Sequence, residues 1–418
     1  MSLWRHRDFR LLWAGQSVSE LGSQVSVLAI PLVAIDRLHA SAFEVGVLTA
    51  METLPFVLVG LPAGAWVDRL RRRPVLIAAD VGRAALLASI PVAAALSVLG
   101  LAQLYAVTLA TGILTVFFDV AYQSYLPVLV GREQLIEGNG KLAATAAGAQ
   151  VGGPAVGGLL VGAVGTAGAV VADAASYVIS FASLLLIRKP EPPARAEGAA
   201  RTTLRAEIAE GLHFVWREPR VRSVAFATGT SNLFSSMSLA VILVFLRRQI
   251  HLSAGHIGLL LAAGGAGGVL GAVLAGRLGA RFGVGRTILV TMATWGAAQL
   301  AYPFVTRGNV DVLAIVGGLL ASGGSVAYNI NQVSLRQALC PLPLQGRMNA
   351  TVRFMVWGTM PLGAILGGTL GSTVGLRATL WVVAIGSLTA FLWILFSPVP
   401  GVRTIPDIET LVAAETMG

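Results

Sequence analysis

Charge is what this chain has least of. Only 12% of its 418 residues are Asp, Glu, Lys or Arg, against 55% hydrophobic residues, and the mean hydropathy is +0.76. A soluble domain of this length needs far more polar surface, so water is excluded as the main solvent. The chain has a single cysteine, Cys340, which rules out an internal disulfide and a cysteine-based metal site. Its five histidines form no metal-ligand pattern, and no Gly-Lys-Ser/Thr phosphate loop is present, so neither a metal nor a nucleotide-driven activity is expected. The run Gly264-Gly265-Ala266-Gly267-Gly268 lies inside an apolar stretch and reads as close helix packing. No small-residue cleavage site follows the first apolar stretch, which is therefore expected to be retained. Lysine is also scarce, two residues among 30 basic ones, a bias that suggests a GC-rich bacterial genome.

What is present is apolar chain of membrane-spanning length. Twelve such stretches lie at roughly 11–35, 42–66, 75–97, 103–126, 141–164, 168–187, 223–246, 256–276, 286–304, 311–334, 348–373 and 377–396, each near the length a helix needs to cross a bilayer. The expected fold is an all-α integral membrane protein with twelve transmembrane helices in two six-helix bundles, 1–187 and 223–418. The segment 188–222 joins them. Lys and Arg in the connectors number 23 on the side of the N-terminus and 5 on the opposite side, which places both termini in the cytoplasm of a bacterial inner membrane. The net charge of +10 is thereby explained as loop charge, and nucleic acid is not expected as a partner. In the joining segment, Leu204, Ile208, Leu212 and Val215 share one helix face, the pattern of a short amphipathic helix on the membrane surface.

The sequence also repeats itself. Val18 to Ser26 recurs as Thr230 to Ser238, and Gly64 to Arg69 recurs in degenerate form as Gly276 to Arg281, both pairs 212 residues apart. Two related halves are the plan of transporters that bind substrate between repeats.

The connector Gly64-Ala65-Trp66-Val67-Asp68-Arg69-Leu70-Arg71-Arg72-Arg73-Pro74 resembles the signature loop of the major facilitator superfamily. Its second copy keeps Arg281 but has Ala280 in place of the acid. The resemblance implies that Gly64, Asp68, Arg69, Arg72 and Arg73 gate the cytoplasmic face, with Asp119 as an acidic partner and Arg281 as the counterpart in the second half. A topology-setting role for the arginines is the other reading. The fifth stretch carries Gly148, Gly152, Gly153, Pro154, Gly157 and Gly158, similar to the helix motif of the superfamily's antiporters, which implies export. Asp119 to Pro127, Leu135, Asn139 and Gln345 to Met348 narrow the resemblance to the branch of macrolide efflux proteins and the enterobactin exporter.

Ionisable groups inside spanning stretches are functional candidates, since a buried charge there costs roughly 2.5–3.5 kcal/mol on insertion scales. Ser17, Glu20 and Gln24 form a polar stripe on the first helix, with Asn232 at the repeat position of Glu20. Glu20 is the expected proton or cation site, a structural acid bonded to Gln24 being the alternative. Glu52 is a second candidate. Asp80 and Arg83 read as a local pair, Asp173 as a cap, and Arg353 as half of a structural ion pair or a contact for an anionic substrate. Tyr122, with Phe117, Phe118, Tyr328 and Asn329, offers surface to an amphipathic substrate.

Together these features predict a monomeric, proton-coupled exporter of drugs or other amphipathic small molecules working by alternating access. It would use no cofactor beyond the proton gradient and would meet only protons, lipid and its substrate. An importer or uniporter of a small metabolite, and a non-transporting membrane sensor, are the alternatives.

Overall fold

The computed structural model describes residues 3–67, 69–130, 134–191, 204–341 and 344–404, and among them every regular element is helical. The helices are α1 (Arg7–Asp36), α2 (Ala42–Leu58), α3 (Gly60–Val67), α4 (Arg72–Ala95), α5 (Leu101–Val130), α6 (Leu135–Leu185) and α7 (Leu204–Arg217), followed by α8 (Pro219–Val244), α9 (Ala254–Phe282), α10 (Val284–Ala298), α11 (Val310–Leu339), α12 (Gln345–Thr373), α13 (Leu376–Thr389) and α14 (Leu392–Leu395). Nine helices among the described residues are long and apolar enough to cross a membrane. Three crossings anticipated from the sequence take other forms. α6 is one 51-residue run folded at Gly165 (φ 78, ψ 169), a backbone conformation open to glycine, and so supplies two. The second crossing is divided at Val59 into α2 and α3, with Pro55 in the last turn of α2. The ninth passes from α10 into a 3₁₀ turn, Gln299–Phe304.

The repeat is visible in where helices begin. Arg7 and Pro219, Ala42 and Ala254, and Arg72 and Val284 open helices 212 residues apart. Local chemistry fixes several of these starts. The His6 Nδ1 accepts the Phe9 N–H ahead of α1, and Ser41 with Glu44 forms a reciprocal capping box ahead of α2.

The chain divides into two compact units, Met1–Gly198 with Leu243–Ala262, and Ala199–Ile242 with Ala263–Gly418. In the first, Phe9, Leu12, Leu76, Phe118, Tyr125 and Leu129 lie in one apolar cluster. In the second, the core gathers Val224, Ile288, Met292, Trp295, Leu335 and Val352. The helix α7 is not laid down by its whole predicted apolar face. Gly211 packs on Arg347 and Thr351 of α12 and Glu210 pairs with Arg347. Val215 is buried, whereas Leu212 and Trp216 are exposed; Leu204 and Ile208 lie outside the residues whose side chains are described. Docking against α12 therefore sets its orientation.

Candidate functional site

Each unit contains a cavity inside its own helices, and the ionisable groups that line the two, tyrosines aside, are acidic in one and basic in the other. In the first unit, a cavity of about 270 Å³ is lined from α1, α2, α4, α5 and α6, and its ionisable groups are Glu52, Asp173 and Tyr177. Glu52 is solvent-accessible where it lines this space. Asp173, 1% exposed, accepts from Ser26 on α1 and from Ser176 one turn onward. Gly22 makes room for it, since a Cβ there would approach the Asp173 Oδ1 to 2.7 Å. Asp173 is therefore an interhelical acceptor and not the cap its position suggested. Thr108, 8% exposed, also lines the cavity, and its hydroxyl has no hydrogen-bond partner among the described residues.

Behind the cavity lies a charged core. Arg83 pairs with Asp80, as their i, i+3 spacing predicted. Its guanidinium lies 4.2 Å from the Phe118 ring centroid and 4.3 Å from that of Tyr177, a cation–π sandwich that lowers the cost of burying the charge. The Tyr177 hydroxyl meets Ser23 at 2.8 Å. Arg83 also acts electrostatically on Asp173 and Glu20.

Of the α1 stripe, Glu20 is half-buried and within reach of this charge. Ser17 spends its hydroxyl on the Trp13 carbonyl of its own helix at 2.6 Å. Gln24 is packed over the antiporter-type motif: a Cβ at Gly153 would lie 2.9 Å from the Gln24 Cγ. Further along, Gly157 abuts Val25, and Gly158 and Pro154 abut Ala254, Gly255 and Gly258 at the start of α9. These glycines permit backbone-to-backbone contact. Tyr122 stacks on Phe118 with ring centroids 5.8 Å apart. Its hydroxyl has no hydrogen-bond partner among the described residues.

The signature loop is arranged differently from expectation. Arg72 pairs with Glu191 at 3.6 Å, and the backbone N–H groups of Arg72 and Arg73 donate to the same carboxylate at 2.7 and 3.1 Å. That caps the first turn of α4 with a negative charge, as the helix dipole favours. The Arg73 side chain donates to the Leu184 and Leu185 carbonyls at 3.0 and 2.9 Å, closing the end of α6. Glu191 is thus a carboxylate partner of the loop that the sequence did not point to, and Asp119 is half-buried on α5. Asp68 lies outside the described residues. Gly64 faces open space, with nothing within 4 Å of a Cβ built there, so close packing does not demand a glycine. Arg69 is exposed, and Arg281 lies 5.6 Å from the Phe282 ring centroid.

The second unit holds a cavity of about 470 Å³ between α8, α11 and α12. Asn232 and Arg353 both line it, together with Arg336, and among the described residues no Asp or Glu does. Asn232 donates to the Val356 carbonyl at 2.9 Å. Arg353 lies 4.5 Å from the Trp357 ring centroid, and the structural ion pair expected for it is not formed among the described residues. Sequence reading missed Arg336, which looks like one more loop-proximal basic residue until α11 is seen to turn it inward. It also missed Gln332, whose amide nitrogen donates to Asn329 at 2.9 Å while its oxygen has no partner among the described residues.

Two helical units, repeat-related helix starts and membrane-length helices define the transporter class known as the major facilitator superfamily. The chain belongs to its transmembrane secretion effector family, which it matches over residues 1–412. It is similar to the multidrug efflux pump Tap of Mycolicibacterium fortuitum, at 27% identity over 90% of this chain and 92% of that one. Tap of Mycobacterium tuberculosis is 30% identical over 87% of each chain, and the enterobactin exporter EntS of Salmonella typhimurium is 27% identical over 92% of this chain and 89% of that one. Among solved structures, an inward-facing bacterial homologue of the iron transporter ferroportin superposes with a TM-score of 0.74 at 17% identity, covering 94% of this chain and 99% of that one. The protein is accordingly a multi-pass membrane transporter and not an enzyme.

Proposed function

We propose that the protein is a proton-coupled exporter of amphipathic small molecules, drug-like or siderophore-like, working by alternating access in the bacterial inner membrane with both termini cytoplasmic. The observation that carries the coupling is the cavity of the first unit, lined by Glu52, Asp173 and Tyr177, whose Tyr177 ring packs on the guanidinium that pairs with Asp80. Carboxyls inside spanning helices are costly to bury as charges and mark proton relays by default. Glu20 is the coupling acid in this reading, and Glu52, in the cavity lining, is the second carboxyl of the proton path. One charge moved through about 100 mV supplies ~2.3 kcal/mol, which sustains roughly a 40-fold gradient of a neutral substrate. The printed functions of the Tap and EntS relatives support export and this substrate range.

The test is export of a mixed panel of macrolides, lipophilic cations and siderophores from efflux-deficient bacteria, with and without a protonophore, by the wild type and Glu20→Gln. Protonophore-sensitive export lost in the variant is the expected result. Unchanged export by Glu20→Gln would remove Glu20 from the mechanism.

A further inference from the structure

The cavity of the second unit differs in its chemistry from that of the first. Two guanidinium groups, Arg336 and Arg353, face a space of about 470 Å³ that no carboxylate lines. That volume suits a small organic molecule. Arg336 is half-buried and Arg353 is exposed, and a cation partly withdrawn from water is costly without a counter-charge. The Arg336 Nε is buried without a hydrogen-bond partner among the described residues. The Gln332 oxygen beside it is in the same condition, in a side chain only 3% exposed. One donor and one acceptor thus stand ready beside two positive charges. Trp357, already against Arg353, adds an aromatic wall.

We propose that this cavity binds the anionic group of the transported molecule, a carboxylate or phenolate on an aromatic or amphipathic skeleton, with Arg353 and Arg336 as its cationic contacts. Gln332 accepts a hydrogen bond from a hydroxyl on the same skeleton. Guanidinium groups suit this task because their planar donors match a carboxylate in two-point contact. The inference rests on the exporter reading for the word transported, and it narrows that reading: acidic amphiphiles are preferred over the cationic drugs that a carboxylate-lined site would select.

The same anionic chemistry occurs on lipid headgroups, so the experiment separates the two sources. Purified full-length protein in phosphatidylcholine nanodiscs is titrated with radiolabelled salicylate and with its neutral amide, salicylamide, at low and high salt. Salicylate is expected to bind at least 10-fold more tightly than the amide, with affinity falling as salt rises. Arg353→Gln and Arg336→Gln are each expected to weaken salicylate about 10-fold with little change for the amide, and Arg353→Lys to recover part of the loss. Equal binding of acid and amide by the wild type would overturn the proposal even if the variants fail to fold. So would arginine-dependent retention of phosphatidylglycerol without saturable salicylate binding, which would assign the cavity to lipid. Because the readout is binding, failed export with intact arginine-dependent salicylate binding would fell the exporter reading and leave the site standing.

Discussion

The two units are built on one plan and differ most at the positions that carry charge. Glu20 in the first corresponds to Asn232 in the second, and Asp80 and Arg83 correspond to Met292 and Trp295, which are buried in the second unit's apolar cluster. The first cavity is lined by Glu52 and Asp173 without a basic residue, the second by Arg336 and Arg353 without an acidic one. Duplication preserved helix starts, because packing and membrane thickness constrain them, while the interior polar groups were free to diverge toward opposite ligands. On the reading proposed above, protons are handled in one repeat and the substrate's charge in the other.

The comparison can be broken most forcefully at Arg83. Replacing it with alanine leaves Asp80 buried without its partner, a change expected to cost about 3–5 kcal/mol and to appear as a large drop in thermal unfolding temperature in detergent. The double variant Asp80→Met with Arg83→Trp imports the second unit's residues and should unfold closer to wild type than Arg83→Ala, yet remain uncoupled. If the double variant is no more stable than the single, the correspondence between the repeats fails at this layer.

A smaller effect is expected at the motif of α6. Gly153→Ala must displace Gln24 and should cost about 1–3 kcal/mol, whereas Gly162→Ala meets nothing within 4 Å and should be close to neutral in the same assay. The pair joining the Arg247 guanidinium to Asp36, at 2.8 and 3.0 Å with both side chains partly exposed, is weaker again. Asp36→Asn should change stability by no more than ~1 kcal/mol. Least of all is expected from Cys340. Burial pushes its thiol above the usual range, so little thiolate exists near neutrality and maleimide labelling should be slow at pH 7, rising only in alkali. A cysteine placed at Asn349, in the lining of the basic cavity, would then label against a quiet background.

Much of the fold was legible because its determinants are local or repeated. Apolar length announced the crossings, spacing announced the Asp80–Arg83 pair, and the recurrence of Val18 to Ser26 announced the halves. The site was legible in its residue types but not in its partners. Arg72 and Glu191 are 119 positions apart, and nothing in either neighbourhood marks the other. Asp173 looked terminal because the turn at Gly165 was not yet fixed. Arg336 was counted as topology charge because its orientation depends on the rotation of α11 about its own axis, a property that a single sequence with a wide apolar face leaves open. The sequence leaves Arg353 between a structural pair and an anion contact for the same reason.

The turn at Gly165 carries a consequence for biogenesis. Since α6 reverses on a single residue, the fifth and sixth crossings share no hydrophilic segment that must be carried through the bilayer. They can enter the membrane together as one helical hairpin, and at that face they leave no strand for a protease to cut or an antibody to grasp.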